Sequence, residues 1–313
     1  MKRAVVVWAV AACSGRSSPP VAGARLGPAL RAALVAADGV QAPWRCAAPD
    51  GPGASDETLV VGARRWQLAG HAMTVDAGDL AIGVIADAGG GAPATLAALG
   101  RLHARLAGVD LVIALGGMAG TRGELDAVLA ALADPRWPVV ALPGDLEPAG
   151  ALSDAVGAAR RRGAAVIDGR LIQRVELASA TIALVPGAGA PSRLVAGAEG
   201  CAYDTADAEA ALRALADRPG LRVLASAEAP RDAADTTGER ALAGAAIDVA
   251  LHGPTSPAAT PARRGGRDGR AVALSPGTSD ALPRLPELRR SPSAGILTVH
   301  GGAWSWQPIA DVK

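Results

Sequence analysis

Three short apolar runs, each followed by a glycine-rich turn, constrain this chain more than any other feature. The runs LAIGVIA, VDLVIAL and VVAL span 80–86, 109–115 and 139–142, and the turns behind them read DAGGG, GGMAG and PGDLE. Short runs rich in β-branched residues are typical of parallel strands buried on both faces. The sequence therefore predicts a parallel sheet whose strands end in small loops carrying acidic residues.

The segments between these runs have the pattern of helices. Pro93–Ala107 and Thr121–Ala133 place apolar residues at helical spacing, and Thr121 followed by Glu124 is a capping box for the second helix. The resulting β-α-β-α-β order predicts an α/β fold. Ligands of open α/β sheets bind beside the carboxyl ends of the strands, so a functional site is expected at the three turns.

The rest of the chain continues this alternation, with no internal repeat and no convincing domain boundary. We expect strands at 58–61 and 65–75 before the core and a terminal hairpin at 296–306. Further helices are predicted at 21–40, 151–162, 204–217 and 237–245, and further strands at 164–167, 172–177, 181–185, 221–226, 247–251 and 271–274.

Composition limits both the core and the partners. Half of the residues are hydrophobic but only 2% are aromatic, with no Phe, so the core must be built from Ala, Val, Leu and Ile. The net charge is +1, and the arginine clusters at 160–162 and 263–270 lack interleaved aromatic residues. We interpret these clusters as solvated surface and expect no nucleic-acid partner.

The first twenty residues resemble a bacterial lipoprotein signal. A basic start and a short apolar run lead to Val10-Ala-Ala-Cys13, and a Ser/Pro-rich stretch follows. The resemblance implies a signal peptide at 1–12, lipid on Cys13, a tether at 13–20 and a folded domain at 21–313. The residue after Cys13 is not Asp, which by the same resemblance implies the outer membrane, facing the periplasm or the surface. The alternative is that 3–10 forms the first strand of the domain.

Two other cysteines remain, Cys46 and Cys201. An exported protein can join them in a disulfide, and the alternative is a pair of buried free thiols. Neither belongs to a Cys-x-x-Cys pair of the kind that binds metal.

The strand-end motifs resemble those of calcineurin-like metallophosphoesterases. That family carries Asp-x-His, Gly-Asp and Gly-Asn-His-Asp/Glu after three successive strands, and later a His before a Pro-containing loop and a Gly-His-x-His. The resemblance covers the chain from about Leu80 onward and implies a four-layer αββα sandwich. It also implies a centre of two metal ions, in which one carboxylate bridges the metals and His, carboxylate and amide groups complete the ligands.

Most of the family's metal ligands are replaced here. Asp87 matches the first acid, but Gly89 stands where the His is expected and Gly117 where the bridging acid is expected. Without that bridge, two cations would repel each other across a short gap.

The later motifs are equally altered. The third reads Gly144-Asp145-Leu146-Glu147, so its Asn is an Asp and its His is a Leu, while Ala227 takes the place of the next His. The last motif reads Gly-Pro-Thr-Ser at 253–256, so both of its His are replaced, and the nearest His is His252, directly before the Gly.

These replacements favour a binding or scaffolding protein of the cell envelope over an enzyme, with no catalytic residue and an envelope partner of unknown identity. The alternative is a phosphoric-ester hydrolase with one divalent cation, Mg²⁺ or Ca²⁺, on Asp87, Asp145 and Glu147. A simpler interpretation is that these acids cap helices or accept hydrogen bonds from loop amides. The chain could also be an α/β domain whose loop lengths converged on the family's. No nucleophile elbow, P-loop or dinucleotide fingerprint is present.

Overall fold

Two β-sheets packed face to face form the centre of the protein. The computed structural model describes residues 44–47, 51–189, 191–228, 247–253, 263–265, 271–280 and 291–311. Its helices are α1 Pro93–Arg105, α2 Arg122–Leu132, α3 Ala149–Arg161 and α4 Thr205–Ala216, with short 3₁₀ turns at Pro191–Arg193 and Gly197–Glu199.

The described residues also form seventeen strands. They are β1 Trp44–Arg45, β2 Ala54–Val61, β3 Arg64–Gly70, β4 Ala72–Val75, β5 Leu80–Ile85, β6 Leu111–Leu115, β7 Val139–Leu142, β8 Val166–Asp168, β9 Arg174–Glu176, β10 Ala180–Val185, β11 Cys201–Ala202, β12 Leu221–Ser226, β13 Val249–His252, β14 Arg263–Gly265, β15 Ala271–Leu274, β16 Ser293–His300 and β17 Ala303–Ala310.

The smaller sheet contains the three apolar runs as parallel neighbours. Its order is β17-β16-β5-β6-β7-β8, and β5, β6 and β7 pair in parallel as predicted. The predicted terminal hairpin is β16–β17, which returns along the outer side of β5 in an antiparallel sense. The larger sheet has the order β14-β15-β13-β12-β10-β9-β4-β3-β2, and β1 pairs separately with β11.

Buried aliphatic residues define the layers. One cluster, which includes Ile82 and Val223, lies between the two sheets. A second packs the outer face of the smaller sheet against α1, α2 and α3, for example through Leu99 and Leu129. A third packs Leu212 and neighbouring α4 residues against β10 and β12. The order is helix, sheet, sheet, helix, so the predicted αββα sandwich is confirmed.

Local sequence explains where several elements begin and end. Thr121 accepts a hydrogen bond from the backbone N–H of Glu124, 3.4 Å away, and so caps α2. The full reciprocal capping box lies instead at α4, between Asp204 and Asp207. The strand predicted at 65–75 is in fact two strands, because Gly70 has φ +53° and turns the chain at that point.

Several predictions fall outside the described residues. These are the signal at 1–12, Cys13, the tether at 13–20 and the helices at 21–40 and 237–245, all of which stay predictions. Within the described ranges, no helix is long and apolar enough to cross a membrane.

Candidate functional site

The loops behind β5, β6, β7 and β12 meet at one edge of the sandwich. We call the surface formed by 86–91, 116–120, 143–148 and 226–228 the strand-end face. Its loops are joined directly: the N–H of Asp87 donates to the carbonyl of Gly116 at 2.9 Å, and the N–H of Gly89 donates to that of Gly117 at 2.8 Å. The sequence-based expectation that these turns converge is therefore correct.

Glycines let these loops approach more closely than any side chain would allow. A Cβ on Gly117 would lie 2.8 Å from the Cα of Asp87, and a Cβ on Gly116 would lie 2.7 Å from the Cα of Gly144. A Cβ on Gly144 would lie 3.1 Å from the Cβ of Ala227. Gly116 and Gly117 also have φ of +67° and +64°, which disfavour any L side chain. Backbone contacts therefore occupy the space between the first two acidic motifs.

A loop from the larger sheet fills the position beside Gly89. A Cβ on Gly89 would lie 2.2 Å from the carboxylate of Asp280, a buried residue. Asp280 accepts a hydrogen bond from the hydroxyl of Thr95 at 2.7 Å, and Thr278 donates from its hydroxyl to the carbonyl of Asp87 at 2.9 Å. Sequence reasoning did not find Asp280 or Thr278; the only signal was the Ser-Pro-Gly-Thr turn at the end of β15.

The side chain of Glu147 points into the protein, and its carboxylate accepts hydrogen bonds from the loops of the strand-end face. It is 0% exposed, and it accepts hydrogen bonds from the backbone N–H groups of Gly144 at 2.7 Å, Ala119 at 3.3 Å and Met118. Burial raises the pKa of Glu147 to about 7, against the opposing effect of the N–H donors of Gly144 and Met118. The carboxylate of Glu147 therefore accepts hydrogen bonds from loop amides, which was the simpler interpretation of this residue.

Asp87 and Asp145 are only half-buried. Asp87 has φ +52°, the one positive φ outside glycine in the described residues, so its backbone is held in a strained conformation by the surrounding loops. Burial is the main cause of the raised pKa of Glu147, and the charge of Asp145 adds to it. Across the described ranges, no group of three or more His, Cys, Asp or Glu is placed to hold a metal ion. The structure therefore does not assemble Asp87, Asp145 and Glu147 into such a group.

His252 is buried at the end of β13. Its Nδ1 lies 2.7 Å from the carbonyl oxygen of Gly253, and a Cβ on Gly253 would lie 2.2 Å from the carbonyl oxygen of Ala227. The imidazole is thus engaged by its own chain at a tightly packed strand end. Residues 254–256 of the last motif lie outside the described residues.

A polar cluster that sequence reasoning missed borders this face. Glu228 accepts hydrogen bonds through Oε2 from Arg193 at 2.7 Å and from the N–H of Gly189 at 3.2 Å, with the Tyr203 hydroxyl at 3.5 Å. Oε1 of Glu228 is buried and has no hydrogen-bond partner among the described residues. No motif marks these residues, because they come from three separate loops.

Cys46 and Cys201 form a disulfide. Both are buried and pack against Ala149, two residues beyond Glu147, so the disulfide fastens β1 beside the strand-end face. Arg45 strengthens this attachment through a bidentate ion pair with Asp207, at 2.8 and 2.9 Å.

The residues present do not fit a two-metal centre. The bridging position is a glycine in backbone contact with Asp87, the first His position is filled by Asp280, and both oxygens of Glu147 accept hydrogen bonds from backbone N–H groups. A hard cation needs several converging oxygen ligands, and within the described ranges no group of three candidate ligand residues converges at this face.

The fold recurs in solved structures of very different sequence. One shares 10% identity and has a TM-score of 0.52, over 74% of this chain and 100% of that one. TT1561 of Thermus thermophilus shares 14% identity with a TM-score of 0.48, over 73% of this chain and 98% of that one. Purple acid phosphatase PPD1 from yellow lupin seeds shares 9% identity with a TM-score of 0.47, over 78% of this chain and 56% of that one. At these identities the likeness concerns the fold alone. No family model matches the sequence, and no curated protein matches it significantly.

Proposed function

We propose that this chain is a non-catalytic protein with a metallophosphoesterase-like fold, which acts in binding or scaffolding through the strand-end face. The observation that carries the proposal is the contact between Gly117 and Asp87, 2.8 Å for an added Cβ. In the resembling family this is where a bridging carboxylate holds two metals. Here a carboxylate at 117 has no room, and the loops are held together by backbone hydrogen bonds instead.

The surface that remains is suited to recognition rather than to hydrolysis. Asp87, Asp145, Arg193 and Glu228 are only partly buried, so their polar groups remain accessible to a ligand. Carboxylates of this kind select hydrogen-bond donors, so the partner presents amide, hydroxyl or cationic groups.

The setting we propose is the bacterial cell envelope. Residues 1–12 are a signal peptide, Cys13 carries the lipid, and the chain faces the periplasm or the surface from the outer membrane with an envelope partner of unknown identity. The disulfide between Cys46 and Cys201 supports export, because structural disulfides persist in oxidising compartments. Labelling of cells with a palmitate analogue tests the anchor: the parent chain takes up label and Cys13→Ser does not. Equal labelling of both would overturn it.

The test of the non-catalytic role combines metal content with turnover. We expect the purified protein to hold no stoichiometric metal after exposure to Mn²⁺ and to leave a phosphodiester such as bis(p-nitrophenyl) phosphate intact. Metal-dependent turnover that Asp87→Asn abolishes and Asp154→Asn preserves would instead support the mononuclear hydrolase on Asp87, Asp145 and Glu147. Asp154 is a suitable control because its side chain is 64% exposed and lies on α3.

A further inference from the structure

One carboxylate oxygen at the strand-end face has no hydrogen-bond partner. Glu228 follows β12 by two residues, and its side chain is only 10% exposed. Its Oε2 accepts hydrogen bonds from Arg193 at 2.7 Å and from the N–H of Gly189 at 3.2 Å, with the Tyr203 hydroxyl at 3.5 Å. Its Oε1 is buried and has no partner among the described residues. A buried carboxylate oxygen without a donor is costly in free energy, so a donor delivered to Oε1 would be held strongly.

Local contacts hold this carboxylate in its orientation. The Ser226 hydroxyl donates to the carbonyl of Glu228 at 2.6 Å, which closes the turn after β12. On the other side, the N–H of Tyr203 donates to the carbonyl of Ala188 at 3.0 Å, and a Cβ on Gly189 would lie 3.2 Å from Cζ of Tyr203. Because both segments are fixed by these contacts, the donors stay on Oε2 and the bare oxygen is Oε1.

The charge of the strand-end face favours a positively charged donor. Its four loops contain no basic residue but carry four acidic ones, Asp87, Asp145, Glu147 and Glu228. Arg193, from the border of the face, pairs with Glu228 at 2.7 Å. Among these five residues the acids remain in excess, which attracts cations and strengthens hydrogen bonds from charged donors.

A second carboxylate lies in the neighbouring loop. A Cβ on Gly144 would lie 3.1 Å from the Cβ of Ala227, so the two loops touch there. Asp145 and Glu228 are the next residues along these two loops. Asp145 is half-buried, and none of the described residues donates a hydrogen bond to its carboxylate. Adjacent loops therefore carry two carboxylates with acceptor oxygens that the described part of the chain leaves unused.

The single bare oxygen indicates the shape of the donor. A guanidinium binds a carboxylate best as a fork, with one N–H on each oxygen. At Glu228 that arrangement is blocked, because Oε2 already accepts from Arg193 and Gly189. An ammonium is a compact charge that can donate to Oε1 alone. A metal ion suits the position poorly, since no three candidate ligands in the described ranges are grouped to hold one.

We propose that Oε1 of Glu228 is the recognition site for a primary ammonium group, carried by a lysine side chain or by a small aliphatic amine. The ammonium would donate to Oε1, and the charge of Asp145 would add to the attraction. The alkyl chain would enter past Arg193, whose side chain is 34% exposed. The inference names the ligand class of the strand-end face and in that respect rests on the proposed function.

Monodansylcadaverine, which joins a primary ammonium to a fluorophore, tests the inference on the intact protein. We expect saturable binding in fluorescence anisotropy at pH 7, where an alkylamine is charged. The N-acetylated form keeps the fluorophore and loses the charge, so it controls for adhesion of the dansyl group. It should bind about tenfold more weakly, because a hydrogen bond to a charged group is lost. This comparison uses the parent protein and needs no variant to fold.

Variants locate the binding on the protein. Glu228→Gln keeps an acceptor for Arg193 and removes the carboxylate charge, and we expect about tenfold weaker binding, with circular dichroism verifying the fold. Asp145→Asn should weaken binding severalfold at low salt. Glu209→Gln is the matched control, because Glu209 also pairs with an arginine, Arg213, but its side chain is 51% exposed on α4. This variant should bind as the parent does.

Competition with unlabelled ligands identifies the source of the ammonium. Equal displacement of the probe by n-butylamine and by Nα-acetyl-lysine methylamide would assign the site to a free amine. Stronger displacement by the lysine derivative would assign it to a polypeptide, whose backbone amides add contacts. n-Butylguanidine should compete more weakly than n-butylamine, since its fork cannot close on both oxygens of Glu228.

Four outcomes overturn the inference. They are absence of saturable binding, equal binding of the probe and its acetylated form, binding unaffected by Glu228→Gln, and stronger competition by n-butylguanidine than by n-butylamine. None of these measurements involves a metal or a phosphodiester. Amine binding can therefore fail while the non-catalytic role stands, and metal-dependent turnover would overturn that role whatever the amine result.

Discussion

Gly117 lies against Asp87 so closely that a Cβ on the glycine would stand 2.8 Å from the aspartate Cα. Together with φ +64° at Gly117, this contact makes position 117 specific for glycine. The second acidic motif of the resembling family therefore cannot be restored by a single substitution without moving the loop behind β5.

Gly117→Ala should therefore destabilise the protein by about 2–4 kcal/mol, the sum of a left-handed backbone and an overpacked contact. Gly120→Ala in the same turn is the control, because its added Cβ would be 3.4 Å from Leu146, an ordinary contact. Urea unfolding of both variants measures the difference. Equal unfolding free energies would show that the loop relaxes freely around residue 117.

Glu147 should make stability fall as pH rises. Burial raises its pKa in the folded state from 4.5 to about 7, so between these values the folded protein binds a proton that the unfolded chain has lost. The stabilisation is present below about pH 4.5 and is lost as pH rises through 7, by roughly 3 kcal/mol. Unfolding free energies from pH 5 to pH 8 measure it. Glu147→Gln, which cannot titrate, should lose this component, and an unchanged pH dependence would contradict the assignment to Glu147.

Removal of the disulfide should cost several kcal/mol. Cys46 and Cys201 are 155 positions apart, and the chain-entropy model gives about 5 kcal/mol for a loop of that length. Thermal unfolding with and without a reductant measures the loss. The double variant Cys46→Ser, Cys201→Ser should melt at the same temperature in both conditions. A parent protein whose melting temperature ignores the reductant would speak against this contribution.

Gly295 and Trp306 should be energetically coupled. A Cβ on Gly295 would lie 2.0 Å from the Trp306 ring, which helps to cover the core beside β17. Gly295→Ala should cost about 1–3 kcal/mol in the parent and much less in a Trp306→Ala background. A double-mutant cycle by urea unfolding gives the coupling energy. If the changes in unfolding free energy of the two single variants add up in the double variant, the two residues are not coupled.

The sequence predicted the frame of the site well for a simple physical reason. Strands buried on both faces must be apolar throughout, and parallel strands must end in turns at a common edge, so the runs at 80–86, 109–115 and 139–142 indicated both the sheet and the convergence of the loops behind these strands. The helices between them followed from apolar periodicity and from the cap at Thr121.

The residues that occupy the positions of the family's metal ligands were not predictable, because they depend on contacts between segments distant in sequence. Asp280 reaches Gly89 from a loop almost two hundred positions away, and no local pattern records that approach. Glu147 posed a different difficulty: a carboxylate three residues after Gly144 is equally compatible with a metal ligand and with an amide cap. Only the direction of the side chain, toward the N–H groups of Met118 and Gly144, distinguishes them.

The antiparallel return of β16 onto β5 has a consequence for how the chain is made. β5 through β8 form from one contiguous stretch, but the outer side of β5 acquires its partner only when Ser293–His300 has been synthesised. Until then a fully apolar strand is exposed along one edge, and such edges recruit other chains. Pairing of β16 with β5 thus protects this edge strand from aggregation late in synthesis. Substitutions that disrupt the β16–β17 hairpin should therefore reduce the yield of soluble protein before they affect binding.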